Sequence, residues 1–172
     1  MTTLLLVRHG ETDWNAERRW QGHTDVPLNA RGREQAHALA EELAAQPPDA
    51  IYTSDLSRAR ETAEIVGGKL GLPIVADPDL REIDVGSREG LTAEQVGDRP
   101  WDGEPHEAHA TRVLRAVERI AEHHPGRRVL VVSHGGCLRR IQEQIDAEVD
   151  GWFGNCVLWA VAHEGGLFRS ID

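Results

Sequence analysis

Apolar residues follow two patterns along this chain, unbroken runs and helical stripes, and the two alternate. The runs Leu4-Leu5-Leu6-Val7 and Val129-Leu130-Val131-Val132 carry no polar alternation. Such runs suit parallel strands covered on both faces. Shorter runs over 50–53 and 73–76 predict further strands. Ala36, Leu39, Ala40 and Leu43 recur at helical spacing behind Asn29, a good N-cap, and Pro47-Pro48 ends that helix. A second helix is predicted over 58–70, with Ala59, Ala63, Val66 and Leu70 on one face and Ser54 or Ser57 as its cap. A third covers 106–124, burying Val113, Val117, Ile120 and Ala121; a fourth turns Leu138, Ile141 and Ile145 inward. Strands over 157–163 and 167–171, joined by Glu164-Gly165-Gly166, close the pattern.

Two segments fit neither pattern. Residues 11–28 are polar, with Trp14, Asn15, Trp20, Gly22 and Pro27, and read as a functional loop in which both tryptophans anchor into the core. Residues 84–105 are punctuated by Gly and Pro and hold one short helix over 92–96.

Each long apolar run delivers a histidine into the turn after it, in Arg8-His9-Gly10 and Ser133-His134-Gly135-Gly136. Ligands of parallel sheets bind outside the carboxyl ends of the strands, so both imidazoles belong on the working edge. One His-Gly pair is ordinarily a polar residue before a turn glycine, but two copies turn the reading towards chemistry. An imidazole can serve as nucleophile, general base, phosphate ligand or metal ligand. Arg8 adds a fork of donors suited to oxyanions and, as a fixed cation, opposes a metal. Arg58 falls in the first turn of its helix, against the dipole. That placement makes sense if Arg58 and the free amides there face an anion together.

The 172 residues make one domain of common size. A net charge of -10 and a pI near 5.3 argue against nucleic acid and anionic membranes as partners, so an anion site must be a local concentration of arginine. No run approaches the ~20 apolar residues of a membrane span, and a cytoplasmic location is expected. Cys137 and Cys156 are expected as reduced thiols, Cys137 packing as a small residue at a helix start. His106, His109, His123 and His124 form no strong metal-ligand pattern and are expected to be solvated.

The ordered segments Leu6-Val7-Arg8-His9-Gly10-Glu11-Thr12, Trp14-Asn15, residues 22–28, Ser54 to Ala59, Leu80-Arg81-Glu82 and Ser133-His134-Gly135-Gly136 resemble the histidine phosphatase superfamily, the phosphoglycerate-mutase-like enzymes. The resemblance implies a three-layer α/β/α sandwich with a mostly parallel central sheet and a phosphohistidine mechanism. It implies His9 as nucleophile, Arg8, Arg58 and His134 around the phosphoryl oxygens, and Glu82 as acid/base, with Asp84 a less favoured substitute. Asn15, Gly22 and Gly135 match substrate-binding positions. No cofactor and no metal are implied, and the partner is a small phosphomonoester; oligomeric state is left open. Relatives carry tryptophan where this chain has Arg88, and Gly-Glu-Ser where it has Gly103-Glu104-Pro105. The lid segment, about 88–105, is short and offers only Arg88 and Arg99 as cations. A metal-independent phosphomonoesterase is therefore expected, ahead of a phosphoglycerate mutase and of a catalytically silent phosphate-binding module.

Overall fold

The computed structural model describes residues 1–145 and 153–171. In chain order the elements are β1 (Thr2–Arg8), α1 (Asp13–Ala16), α2 (Ala30–Ala44), β2 (Ala50–Thr53), α3 (Ser57–Leu70), β3 (Ile74–Ala76), α4 (Ala93–Val96), α5 (His106–His123), β4 (Arg128–Ser133), α6 (Gly135–Ile145), β5 (Leu158–Glu164) and β6 (Leu167–Ser170). Two 3-10 turns, Pro78–Leu80 and Gly86–Arg88, interrupt the stretch between β3 and α4. The strands form one sheet in the order β3-β2-β4-β1-β5-β6. The first four run parallel, and β5 and β6 add an antiparallel hairpin at the β1 edge.

Side chains alternate across the sheet and so divide the unbroken apolar runs between two cores. Leu4, Leu6, Val129 and Val131 pack with Val113, Val117 and Ile120 of α5 and Leu138 and Ile141 of α6. Leu5, Val7, Leu130 and Val132 pack on the other face with Leu39 and Leu43 of α2 and Ala63 and Val66 of α3. The result is the expected three-layer α/β/α sandwich.

Strand register sets the site. Val7 pairs with Val132 and Arg8 with Ser133, so His9 and His134 leave adjacent strands one step beyond the last pair. The His9 N–H still donates to Ser133 O at 3.0 Å, carrying the ladder into the turn.

The cap of α3 differs from expectation. Leu56 occupies the N-cap without a side-chain bond; Ser54 Oγ accepts only the Leu56 N–H, and the Ser57 N–H goes to the Asp25 carboxylate. The Ala59 and Arg60 amides are taken by Leu56 O, so these first-turn amides are not free for an anion. The Arg58 side chain is therefore the principal group of this turn left for that role. Asn29 caps α2 as expected, its side chain accepting from Gly32. Trp20 is 37% exposed, so it does not anchor the 11–28 loop in the core, whereas the Trp14 ring packs against Gly90.

Candidate active site

At the carboxyl edge of β1 and β4 the imidazoles of His9 and His134 lie 5.2 Å apart between ring centroids, tilted by 60°. Both are buried. The His9 Nδ1–H donates to Gly10 O at 2.7 Å, which leaves Nε2 as the nitrogen with a lone pair to offer. Gly10 is held in turn, because its N–H donates to Thr62 Oγ1 of α3 and Thr62 donates to Arg58 O. On the other side Asn155 Nδ2 donates to His9 O at 2.7 Å.

Burial, helped by the charges of Arg58 and Arg8, pushes the His9 pKa well below the usual histidine value, and the bond to Gly10 opposes this only in part. His134 is driven down by burial, then by Arg58, His9, Arg8 and Arg112. Both rings are neutral near pH 7.

Two arginines complete the pocket. Arg58 is fully buried; its Nη1 donates to Thr24 O and its Nη2 to Gly22 O. Arg8 donates through Nη1 to Phe153 O, and its Nε lies beside Gly135. Burial lowers the pKa of each guanidinium and Glu82 is the first charge to oppose that, yet neither forms an ion pair among the described residues. Arg8 Nε, Arg58 Nε and both ring nitrogens of His134 are buried without a hydrogen-bond partner. Desolvated polar atoms without a partner are costly, and on the guanidiniums and the protonated nitrogen of His134 they are donors that an oxyanion could satisfy.

Glu82 lies at the edge of this pocket. Its Oε1 accepts the Ile83 N–H at 2.9 Å and its Oε2 the Gly136 N–H at 3.1 Å. A Cβ at Gly136 would overlap Glu82 Oε1, so any larger residue there would push the carboxylate aside. Arg81 does not pair with Glu82; it makes a two-pronged bridge to Asp55. The Asp84 carboxylate turns back to the Gly86 N–H.

The remaining expected residues sit around this centre in different ways. Gly135 lies near Arg8, so that a Cβ there would sit 3.7 Å from Arg8 Nε. Gly22 adopts a positive φ of 53° and supplies a carbonyl to Arg58. The Asn15 side chain is committed to a capping box with Thr12, and Asn155 reaches it at 3.4 Å.

Several positions depart from the sequence reading. His109 is 1% exposed, lying on the α5 stripe four residues before Val113, and burial takes its pKa down to about 3. His106 and His123 are exposed as expected, His106 while stacking on Trp101, whereas His124 is half-buried with its Nε2 at the Tyr52 hydroxyl. Arg88 is no rim cation: it is 9% exposed, lies over the Trp101 ring and donates to Arg99 O. The 88–105 segment is tied to the 19–24 loop: Arg19 donates to Gly90 O, the Trp20 N–H to Leu91 O and the Gly90 N–H to Trp20 O. Glu89 secures the same loop by accepting the His23 and Thr24 amides.

Glu82, His109 and Cys137 offer ligand atoms within 4.8 Å of one another. Their surroundings favour a protonated thiol. Cys137 Sγ faces two carbonyl oxygens, Arg81 at 3.1 Å and Leu80 at 3.5 Å, and burial followed by the Glu82 charge pushes its pKa up. A thiolate ligand would be repelled by those oxygens, so the cluster does not suit a metal.

The sequence profile of the histidine phosphatase superfamily (branch 1) matches residues 4–155. The chain belongs to that superfamily. It is 41% identical over 160 residues to phosphoglycerate mutase-like protein 4 of Arabidopsis thaliana, covering 82% of this chain and 70% of the relative. It is 40% identical over 164 residues to a metal-independent phosphoserine phosphatase of the same plant, covering 84% of this chain and 69% of the relative. Among solved structures, a mycobacterial glucosyl-3-phosphoglycerate phosphatase complexed with VO3 superposes with a TM-score of 0.87 at 31% identity, covering 98% of this chain and 96% of that one. No helix among the described residues is long and apolar enough to cross a membrane.

Proposed function

We propose that this protein is a phosphomonoesterase of small phosphate esters that works through a phosphohistidine on His9 and needs no metal ion. The observation that carries the reading is the set of unpartnered buried donors on Arg8, Arg58 and His134 around a neutral, oriented His9. Nε2 of His9 attacks phosphorus in line with the leaving oxygen, while Arg8, Arg58 and His134 hold the charge on the non-bridging oxygens. As the P–O bond breaks, Glu82 gives its proton to the departing alkoxide. Water then attacks the phosphohistidine, Glu82 takes the water proton, and His9 and inorganic phosphate are freed. Gly22 keeps the Arg58 guanidinium in place through its carbonyl, and Asn15, Gly22 and Gly135 are assigned to contact the substrate. The phosphatases among its relatives are consistent with hydrolysis of phosphomonoesters by this chain too.

The mutase-like relative keeps isomerisation as a second reading. A mutase needs extra cations for a substrate carboxylate and a shelter from water. Here Arg88 is turned over Trp101, which favours hydrolysis. Quenching turnover of a labelled monoester is expected to trap a phosphoprotein that is labile in acid and stable in alkali, absent in His9→Ala, with activity unaffected by a chelator. Label that survives acid, or persists in His9→Ala, overturns the mechanism. Primer-dependent conversion of 3-phosphoglycerate to its 2-isomer, much faster than phosphate release, would replace the phosphatase with a mutase.

A further inference from the structure

We infer that Arg112 of α5 is a positioning residue for the general acid, fixing the main chain that carries Glu82, and that Glu104 holds Arg112 in that orientation. The inference rests on Glu82 being the proton donor. All five N–H groups of the Arg112 guanidinium are engaged. Nη1 donates to Asp79 O at 2.9 Å and Arg81 O at 2.7 Å, and Nη2 donates to Glu82 O at 2.8 Å. The remaining two, on Nε and Nη2, go to the two Glu104 oxygens at 2.7 and 2.8 Å. The Glu82 carbonyl also accepts His23 Nε2 at 2.8 Å, so it is gripped from two sides.

Such a clamp has a physical reason. Residues 79–82 lie beyond the end of β3 and pair with no strand. Nothing in the sheet ladder fixes their height, so the carbonyls must be held by side chains. A planar fork can span three carbonyls of this segment while a carboxylate closes its far edge; an ammonium cannot. The clamp reaches the chemistry through geometry. The Glu82 carboxylate keeps its bonds to the Ile83 and Gly136 amides only while its own main chain stays in place. A shift of about 1 Å at a reacting group is enough to cost up to two orders of magnitude in rate.

The test compares an alkyl monoester, glycerol phosphate, with an activated one, 4-nitrophenyl phosphate, whose leaving group needs no proton. Arg112→Ala is expected to lower kcat on glycerol phosphate about 10-fold or more, with KM nearly unchanged and 4-nitrophenyl phosphate barely affected. Arg112→Lys is expected to recover little of the loss, and Glu104→Gln to move in the same direction by less. In a Glu82→Gln background, Arg112→Ala is expected to add no further selective loss, because the two act through one group. Equal losses on both esters in Arg112→Ala, with a selective loss in Glu82→Gln, overturn the role of Arg112 and leave the acid standing. Equal losses in Glu82→Gln itself overturn the acid, and the inference with it. If Arg112→Ala shows no cooperative thermal unfolding, the ester ratio in Arg112→Lys and Glu104→Gln decides the question.

Discussion

The two halves of this site are built from different materials. His9 and His134 extend from the parallel strands β1 and β4, whose ladder fixes them to the Arg8–Ser133 pair, and two apolar cores press on those strands from either side. Glu82 springs from a segment with two 3-10 turns and no strand, held by Arg112, His23, the Ser133 hydroxyl on Leu80 O, and the amides of Ile83 and Gly136. In the first half, position is a property of the sheet. In the second it resides in a few side chains, so Glu82, the proposed acid, is the part of the site that single substitutions are expected to detune without disturbing the proposed phosphate pocket.

The sharpest way to break this contrast is to strike the phosphate pocket and compare leaving groups. Arg58→Ala removes a fully buried cation that Gly22 O and Thr24 O aim into the pocket. Phosphoryl charge must be held whatever leaves, so the expected loss in kcat/KM is about 10²–10³-fold on glycerol phosphate and on 4-nitrophenyl phosphate alike. A loss confined to the alkyl ester would show that Arg58 serves the acid half. A smaller, selective effect is expected from Gly136→Ala, whose new Cβ would overlap Glu82 Oε1. About 10-fold on the alkyl ester and little on the aryl ester is the expected outcome. Equal loss on both esters would mean that the start of α6 had moved and taken His134 with it.

The same division governs what the sequence discloses. Unbroken apolar runs ending in histidine are local signals, and they placed His9 and His134 on one edge without help. Arg58 was legible as a cation against the helix dipole, although its neighbouring amides proved to be occupied. Glu82 was legible only through the resemblance, because no local pattern separates it from any surface glutamate. Arg112, Thr62 and Asn155 carry no local signal, since the main-chain partners that bring them to the site lie 30 to 33, 52 and 146 positions away and chain folding alone brings them together. His109, expected to be solvated from its residue type, lies on the buried stripe of α5 because its spacing to Val113 and Val117 sets it there; helical period decides burial here, not polarity.

The smallest expected effect concerns stability and separates the halves by pH. His9, His134 and His109 are all held below the usual histidine range, in each case chiefly by burial. The unfolded chain takes up protons on these rings below about pH 6.5 while the folded chain does not. The stability present above pH 6.5 is therefore lost as pH falls from there, by up to about 1.4 kcal/mol per pH unit for each ring. Among the carboxylates, Asp55, lowered by its bond to Arg81, and Glu104, whose burial is outweighed by Arg112, lose their contributions only below about pH 4. Between pH 6.5 and 4.5 the slope thus belongs to the imidazoles. Inorganic phosphate or vanadate is expected to flatten the part due to His9 and His134, because an anion among those rings favours their protonation. His109, packed against Cys137 on the acid side, keeps its share under phosphate and loses it in His109→Gln. Urea unfolding at pH 7.5, 6.0 and 5.0, with and without phosphate, measures both shares. A His109→Gln slope equal to that of the unaltered protein would show that the burial of this ring carries no pH-dependent cost, and a phosphate effect that vanished in the same variant would join the two halves into one electrostatic unit.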